Sequence, residues 1–248
     1  MPEKFLDHDT WNYETPKSAK MTAIELDPIF GVFAYDGKRN PGFRSATSHT
    51  VWLTYRTPAH DLLPQVGICE SAAEAAVAYD VLRSPETYDV KFQPLTVHFD
   101  FDGKPREYTH DLLVTFRNGY RRLIFVRNGT SLTKPKTWRE IEEICKATPR
   151  TAANDMIVVD ADHYTRQRWD NLFRMHELFQ QPDDEADEMV LHAALNLKTL
   201  WQMHDLFPRV SLSQDRVFRA CYRLIGRKKL LTNLDHVILE TSRVWLPS

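Results

Sequence analysis

The chain has 248 residues, apolar and charged fractions of 42% and 27%, and a formal net charge of −2. That length can fill one large domain or two small ones, and the composition excludes global disorder and a protein that coats DNA through overall charge. No apolar run approaches the about 18 residues needed to cross a bilayer, and three scattered cysteines suit neither a disulfide framework nor zinc, so the expected compartment is a reducing cytoplasm.

Met1 to Lys20 is polar, with aromatics at Phe5, Trp11 and Tyr13, and reads as an arm or docking segment rather than a targeting sequence. Gly31 to Tyr35 is a short apolar run closed by the turn pair Asp36-Gly37, and Val51 to Tyr55 has the aromatic and β-branched content of a strand. Ser71 to Leu82 predicts a helix, with a serine cap ahead of good helix formers and Ser84-Pro85 after its end. Lys91 to Phe101 alternates, placing Leu95, Val97, Phe99 and Phe101 on one side. Asp102-Gly103 turns the chain into Tyr108 to Phe116, and Asn118-Gly119 turns it again into Arg122 to Val126. Trp138 to Lys146 predicts a helix and Met156 to Asp160 a buried strand, which together make an α/β core with a mixed sheet.

Acidic residues and a proline around Gln180 to Asp187 mark the expected domain boundary. Beyond it, Val190 to Phe207 suits one helix and Gln214 to Gly226 another, started by Ser211-Leu212-Ser213. Leu230 to Trp245 is expected to form a two-stranded hairpin, completing a winged-helix outline. The expected division is an arm over 1–29, an α/β domain over 30–180 and a winged-helix-like α+β domain over 181–248.

Two groups of residues carry candidate chemistry. Glu74, on the Ser71 helix, and Asp111, at the head of the apolar run Leu112-Leu113-Val114, are hard oxygen donors that suit Mg²⁺ or Mn²⁺. Taken alone, Glu70 and Glu74 lie four apart and could both face solvent, and Asp111 could be a capping residue. The second group is Arg216, Arg219, Arg223 and Arg227, which recur at three- and four-residue steps along one helix face and are followed by Lys228 and Lys229. A DNA recognition helix has that pattern, and so does a basic face paired with the acids of 183–188.

The series Glu70-Ser71-x-x-Glu74, Gln93-Pro94, Tyr108-Thr109-x-Asp111 and an apolar strand ending in a basic residue resembles the TnsA-like transposon endonuclease family. Arg44-Ser45, Met156 to Leu172 and Thr241-Ser242-Arg243-Val244 extend the likeness, which covers about residues 30 to 245. The resemblance implies a restriction-endonuclease-like domain, a winged-helix-like domain, Mg²⁺-dependent DNA cleavage, and work beside a transposase and an ATPase regulator. By position, Glu74 and Asp111 match its metal-binding acids. Phe125 stands where that family has Glu or Gln, Arg127 where it has lysine, and His110 where it often has proline. Phenylalanine cannot ligate a cation, and arginine keeps a charge but stays protonated. Losing one catalytic electrostatic group typically costs about 10²–10³ in rate. The expectation is therefore a DNA-binding protein with a weak or inactive nuclease site. An active Mg²⁺-dependent endonuclease and a protein-interaction subunit without DNA contact are the alternatives.

One geometric question stays open in the sequence. A strict two-residue turn at Asn118-Gly119 pairs Asp111 with Val126 and puts Phe125 and Arg127 on the opposite face, whereas a three-residue loop restores the parity a nuclease needs.

Overall fold

The computed structural model describes residues 31–39 and 50–247. The arm over 1–29, with Phe5, Trp11 and Tyr13, and the Arg44-Ser45 segment lie outside the described residues. The first regular elements are β1 (Val51–Tyr55) and β2 (Gln65–Cys69), an antiparallel pair. Gly31 to Tyr35 contributes no full strand, only a bridge from Phe33 to Gln65. β2 has no alternating pattern to reveal it. Its Gly67 sits against the Phe92 ring so closely that a Cβ there would lie 2.6 Å from the ring edge.

Helix α1 (Ala72–Leu82) follows its predicted cap, with the Glu74 amide donating to Ser71 Oγ at 3.2 Å. The run from Lys91 to Phe101 is not one strand. It breaks at Gln93, whose φ of +46° ends β3 (Thr87–Phe92) before β4 (Thr96–Phe101) begins. Asp102 and Gly103, both at positive φ, close the hairpin to β5 (Lys104–Thr109). Tyr108 to Phe116 divides in the same way, because β5 pairs with β4 whereas β6 (Leu112–Phe116) joins β3.

β7 (Arg121–Arg127) continues the sheet antiparallel to β6, and β8 (Asp155–Asp160) lies parallel to β7 in the order β3-β6-β7-β8. Between β7 and β8 the chain makes a four-residue helix α2 (Gly129–Leu132) and α3 (Pro135–Ala147). β8 is an edge strand, half-buried along its whole length, and so is not the buried strand its composition suggests. α4 (Arg166–Phe179) packs on the sheet beside α1.

The sheet is covered on both faces. Ile124 and Val126 of β7 join Ala76, Tyr79, Leu112 and Leu172 on the α1 and α4 side. Phe125 points the other way, into Val97, Ile141 and Ile144 of β4 and α3. This alternation along one strand builds a mixed α/β arrangement of helices around a mixed sheet.

The C-terminal part comprises α5 (Asp184–Asn196), a 3₁₀ stretch Met203–Arg209 and α6 (Gln214–Gly226). The expected single helix Val190 to Phe207 is replaced by an earlier start and an earlier stop. Asp183 caps α5 by accepting from the Ala186 amide, and three acids fill its first turn, where the helix dipole favours them. The expected hairpin over Leu230 to Trp245 is reduced to isolated bridges, Leu231 to Trp245 and Gln202 to Arg243. The two cores meet on one helix: Leu172 of α4 belongs to the sheet's core, and Met175 to the core built by α5 and α6.

Candidate functional site

Glu74 and Asp111 come together at the end of the sheet. The Ser71 cap fixes Glu74 in the first turn of α1. Its Oε2 accepts from the Glu70 amide at 2.8 Å and its Oε1 from Ser71 Oγ at 3.0 Å. Glu70 behaves differently and pairs outward with Arg39 at 3.2 Å. Asp111 sits one residue before β6, with its Oδ2 accepting from the Val126 amide of β7 at 2.7 Å.

Burial pushes the Asp111 carboxyl up to about 8, and the negative charge of Glu74 adds to that rise; the Val126 amide and Arg127 oppose it. Burial also raises Glu74, against the Glu70 amide and the Ser71 hydroxyl. At neutral pH Asp111 is therefore mostly protonated. Cys69, at the end of β2, is held well above the ordinary thiol range by burial and then by the charges of Glu74 and Asp111. A buried thiol in that setting is no nucleophile.

The strand register answers the parity question. Leu112 faces Ile124 and Leu113 faces Leu123, so the register continued by one residue sets Asp111 opposite Phe125. The loop from β6 to β7 is accordingly three residues long, with Gly119 at φ +81° and the Phe116 amide donating to the Tyr120 carbonyl. Arg127 lies over the Phe125 ring at 4.5 Å and the Tyr108 ring at 5.6 Å. Its charge lowers both acids, yet it forms no ion pair with either among the described residues.

Among the described residues, buried Gln93 Oε1 and His110 Nδ1 lack a hydrogen-bond partner, and Tyr108 Oη has no well-formed one, although it lies close enough to Asp111 to help lower that acid's pKa. For His110 the tautomer follows from its neighbour. Thr148 Oγ1 donates to the Ile144 carbonyl at 2.7 Å, so it accepts from His110 Nε2, and Nδ1 keeps a bare lone pair. Burial lowers the His110 pKa to about 4, which keeps the ring neutral. The sequence singled out Gln93, Tyr108 and His110 as spacing, without assigning them roles. Their burial as donors and acceptors in waiting is a tertiary property.

The donor set does not fit a catalytic divalent cation. Phe125, 1% exposed, fills the place of the third ligand with hydrocarbon. Among the described residues, no three His, Cys, Asp or Glu side chains converge to hold a metal ion.

The arginine stripe of α6 is turned toward α5, and it takes the acidic pairing that the sequence left open. Arg216 forms two hydrogen bonds to Asp183, each 2.9 Å, and one to Glu185 at 2.7 Å. Arg223 is 2% exposed and grips Asp187, itself 3% exposed, at 2.7 Å, while Arg227 reaches the other Asp187 oxygen at 2.6 Å. Arg219 pairs with Asp215 at 3.0 Å on the same helix. Arg223 is thus withdrawn from any open surface, whereas Arg216, Arg219 and Arg227 are ion-paired and still partly exposed. Lys228 and Lys229 remain exposed, with no ion pair among the described residues.

Among the described residues no helix is long and apolar enough to cross a membrane. The chain matches no protein-family model and no curated protein sequence.

Proposed function

We propose that this chain is a DNA-associated protein with a restriction-endonuclease-like domain whose cleavage site has lost its metal, followed by a winged-helix-like domain. It would act as a binding subunit of a transposition, phage-related or recombination assembly beside a transposase or ATPase-type partner. The observation that carries the reading is the Glu74–Asp111 pair at the sheet's end, facing Arg127 while Phe125 fills the ligand position. Arg127, half-buried over two aromatic rings and free of a carboxylate ion pair among the described residues, is the group that can still clamp a phosphate.

An active Mg²⁺-dependent endonuclease is the rival reading, and one observation favours it: the register keeps Asp111, Phe125 and Arg127 at matching strand positions. Incubating the protein with labelled duplex in Mg²⁺ or Mn²⁺ separates the two. Salt-dependent retention of uncut DNA is expected. Cutting that disappears in Asp111→Ala would establish the rival, and absence of any DNA binding would remove the DNA role.

A further inference from the structure

We infer that the surface built from Trp201, Arg243 and Trp245 is a stacking platform for single-stranded nucleic acid. The inference rests on the DNA-associated reading and places the contact away from the α6 stripe.

Three extended pieces of backbone meet there. The Val244 amide donates to the Trp201 carbonyl at 3.1 Å, and Leu231 and Trp245 exchange hydrogen bonds at 2.7 and 3.0 Å. Val244 is buried in the core, so its neighbours Arg243 and Trp245 both turn outward. Trp201 is 58% exposed and Trp245 46%, which is unusual for the largest apolar side chain. The Arg243 guanidinium lies 4.7 Å above the Trp201 ring. Lys229, exposed in the turn two residues before Leu231, adds a further cation.

Two exposed indoles thus share this surface with Arg243 and Lys229, neither of which has an acidic partner among the described residues, while the neighbouring Asp205 carboxylate is taken up by the Trp201 and Gln202 amides. A single strand presents base faces to stack and phosphates to neutralise at alternating positions, so this edge complements it in both respects. A duplex keeps its base faces hidden and has no use for an exposed indole ring. Trp and Arg also anchor protein contacts, and the test below separates the two.

The test is fluorescence anisotropy of the full chain against a labelled 20-nucleotide oligothymidine and a duplex of equal length, at two salt concentrations. The single strand is expected to bind more tightly. Trp201→Ala and Trp245→Ala should each weaken it about tenfold, with Trp201→Phe keeping most of the affinity. Arg243→Ala should weaken binding and reduce the salt slope by about one. Equal affinity for duplex, or oligothymidine binding that the alanine variants leave unchanged, overturns the platform and leaves the DNA-associated reading in place. Failure to bind either nucleic acid overturns both. Variants that alter self-association and not oligothymidine affinity assign the edge to protein contact and overturn the platform.

Discussion

Among the described residues two clusters of charge, each with a buried acid, are treated in opposite ways. Between α5 and α6, Arg223 and Arg227 divide the two oxygens of Asp187, and Arg216 does the same for Asp183 and Glu185. At the sheet's end, Glu74 and Asp111 share a confined space with Arg127 nearby, no ion pair joins them among the described residues, and the buried Gln93 Oε1 and His110 Nδ1 close by go unpartnered. Ion pairing ties the two helices together, with Arg223 Nη2 held near Asp187 Oδ1 by charge and not by a well-formed hydrogen bond. Incomplete pairing is what a protein keeps where a ligand once bound or still does. The basic stripe, which looked like the functional surface in sequence, is engaged in pairing with α5, and the two acids are the cluster left without ion pairs among the described residues.

The largest expected effect tests the saturated cluster. Arg223→Leu leaves the buried Asp187 carboxylate with Arg227 alone and should cost about 2–4 kcal/mol in denaturant unfolding. The double variant Arg223→Leu with Asp187→Leu should recover most of that loss. A single-variant cost below about 1 kcal/mol would erase the distinction between the clusters.

The second prediction concerns the unsaturated cluster and runs through pH. Asp111 is raised to about 8 in the folded protein, against an ordinary value of about 3.9. Between those values the folded state holds a proton that the unfolded state releases. Its contribution to stability is therefore fully present below pH of about 4 and declines as pH rises to about 8, by at most ~1.4 kcal/mol per pH unit. Asp111→Asn, which keeps an acceptor for the Val126 amide, should flatten that decline. Melting temperatures of the two proteins should diverge most at pH 8 and above, with the variant the more stable.

Smaller effects refine the contrast. Ser71→Ala removes the α1 cap and one of the groups holding Glu74, and should cost about 1 kcal/mol in unfolding measurements. Arg219→Ala breaks only an exposed pair with Asp215 and should stay within about 0.5 kcal/mol of the parent. If the α6 stripe is structural, charge reversal at Arg219 should also leave DNA affinity unchanged.

Local chemistry was legible in the sequence wherever the signal was local. The bounds of α6, and of α1 to within its cap, follow from Ser213, Ser71 and helical periodicity. The choice of Glu74 over Glu70 came from the family pattern, which has a serine three residues ahead of its acid. The break between Thr109 and Leu112 was not legible, because alternation continues through it and only the pairing partner changes. The break at Gln93, by contrast, shows in the sequence as a shift of the apolar positions from Phe92 to Leu95 across Pro94. β2 and α4 were missed for want of a periodic signal and of a recognised cap at Thr165. The fate of the arginine stripe depended on where α5 lies, a matter of tertiary packing to which helix periodicity is blind. The loop length between β6 and β7, which decides where Phe125 points, was posed by the sequence and answered only by the register.

The central claim is that two acids and a neighbouring arginine remain at the sheet's end while the cation does not. Calorimetric titration of Mg²⁺ and of Mn²⁺ into the full chain at pH 7, alone and with duplex DNA present, tests it most directly against an Asp111→Ala control. The account predicts no saturable heat in either setting. Saturable binding in the parent that vanishes in the control would contradict it, and would return Glu74 and Asp111 to the role of metal ligands.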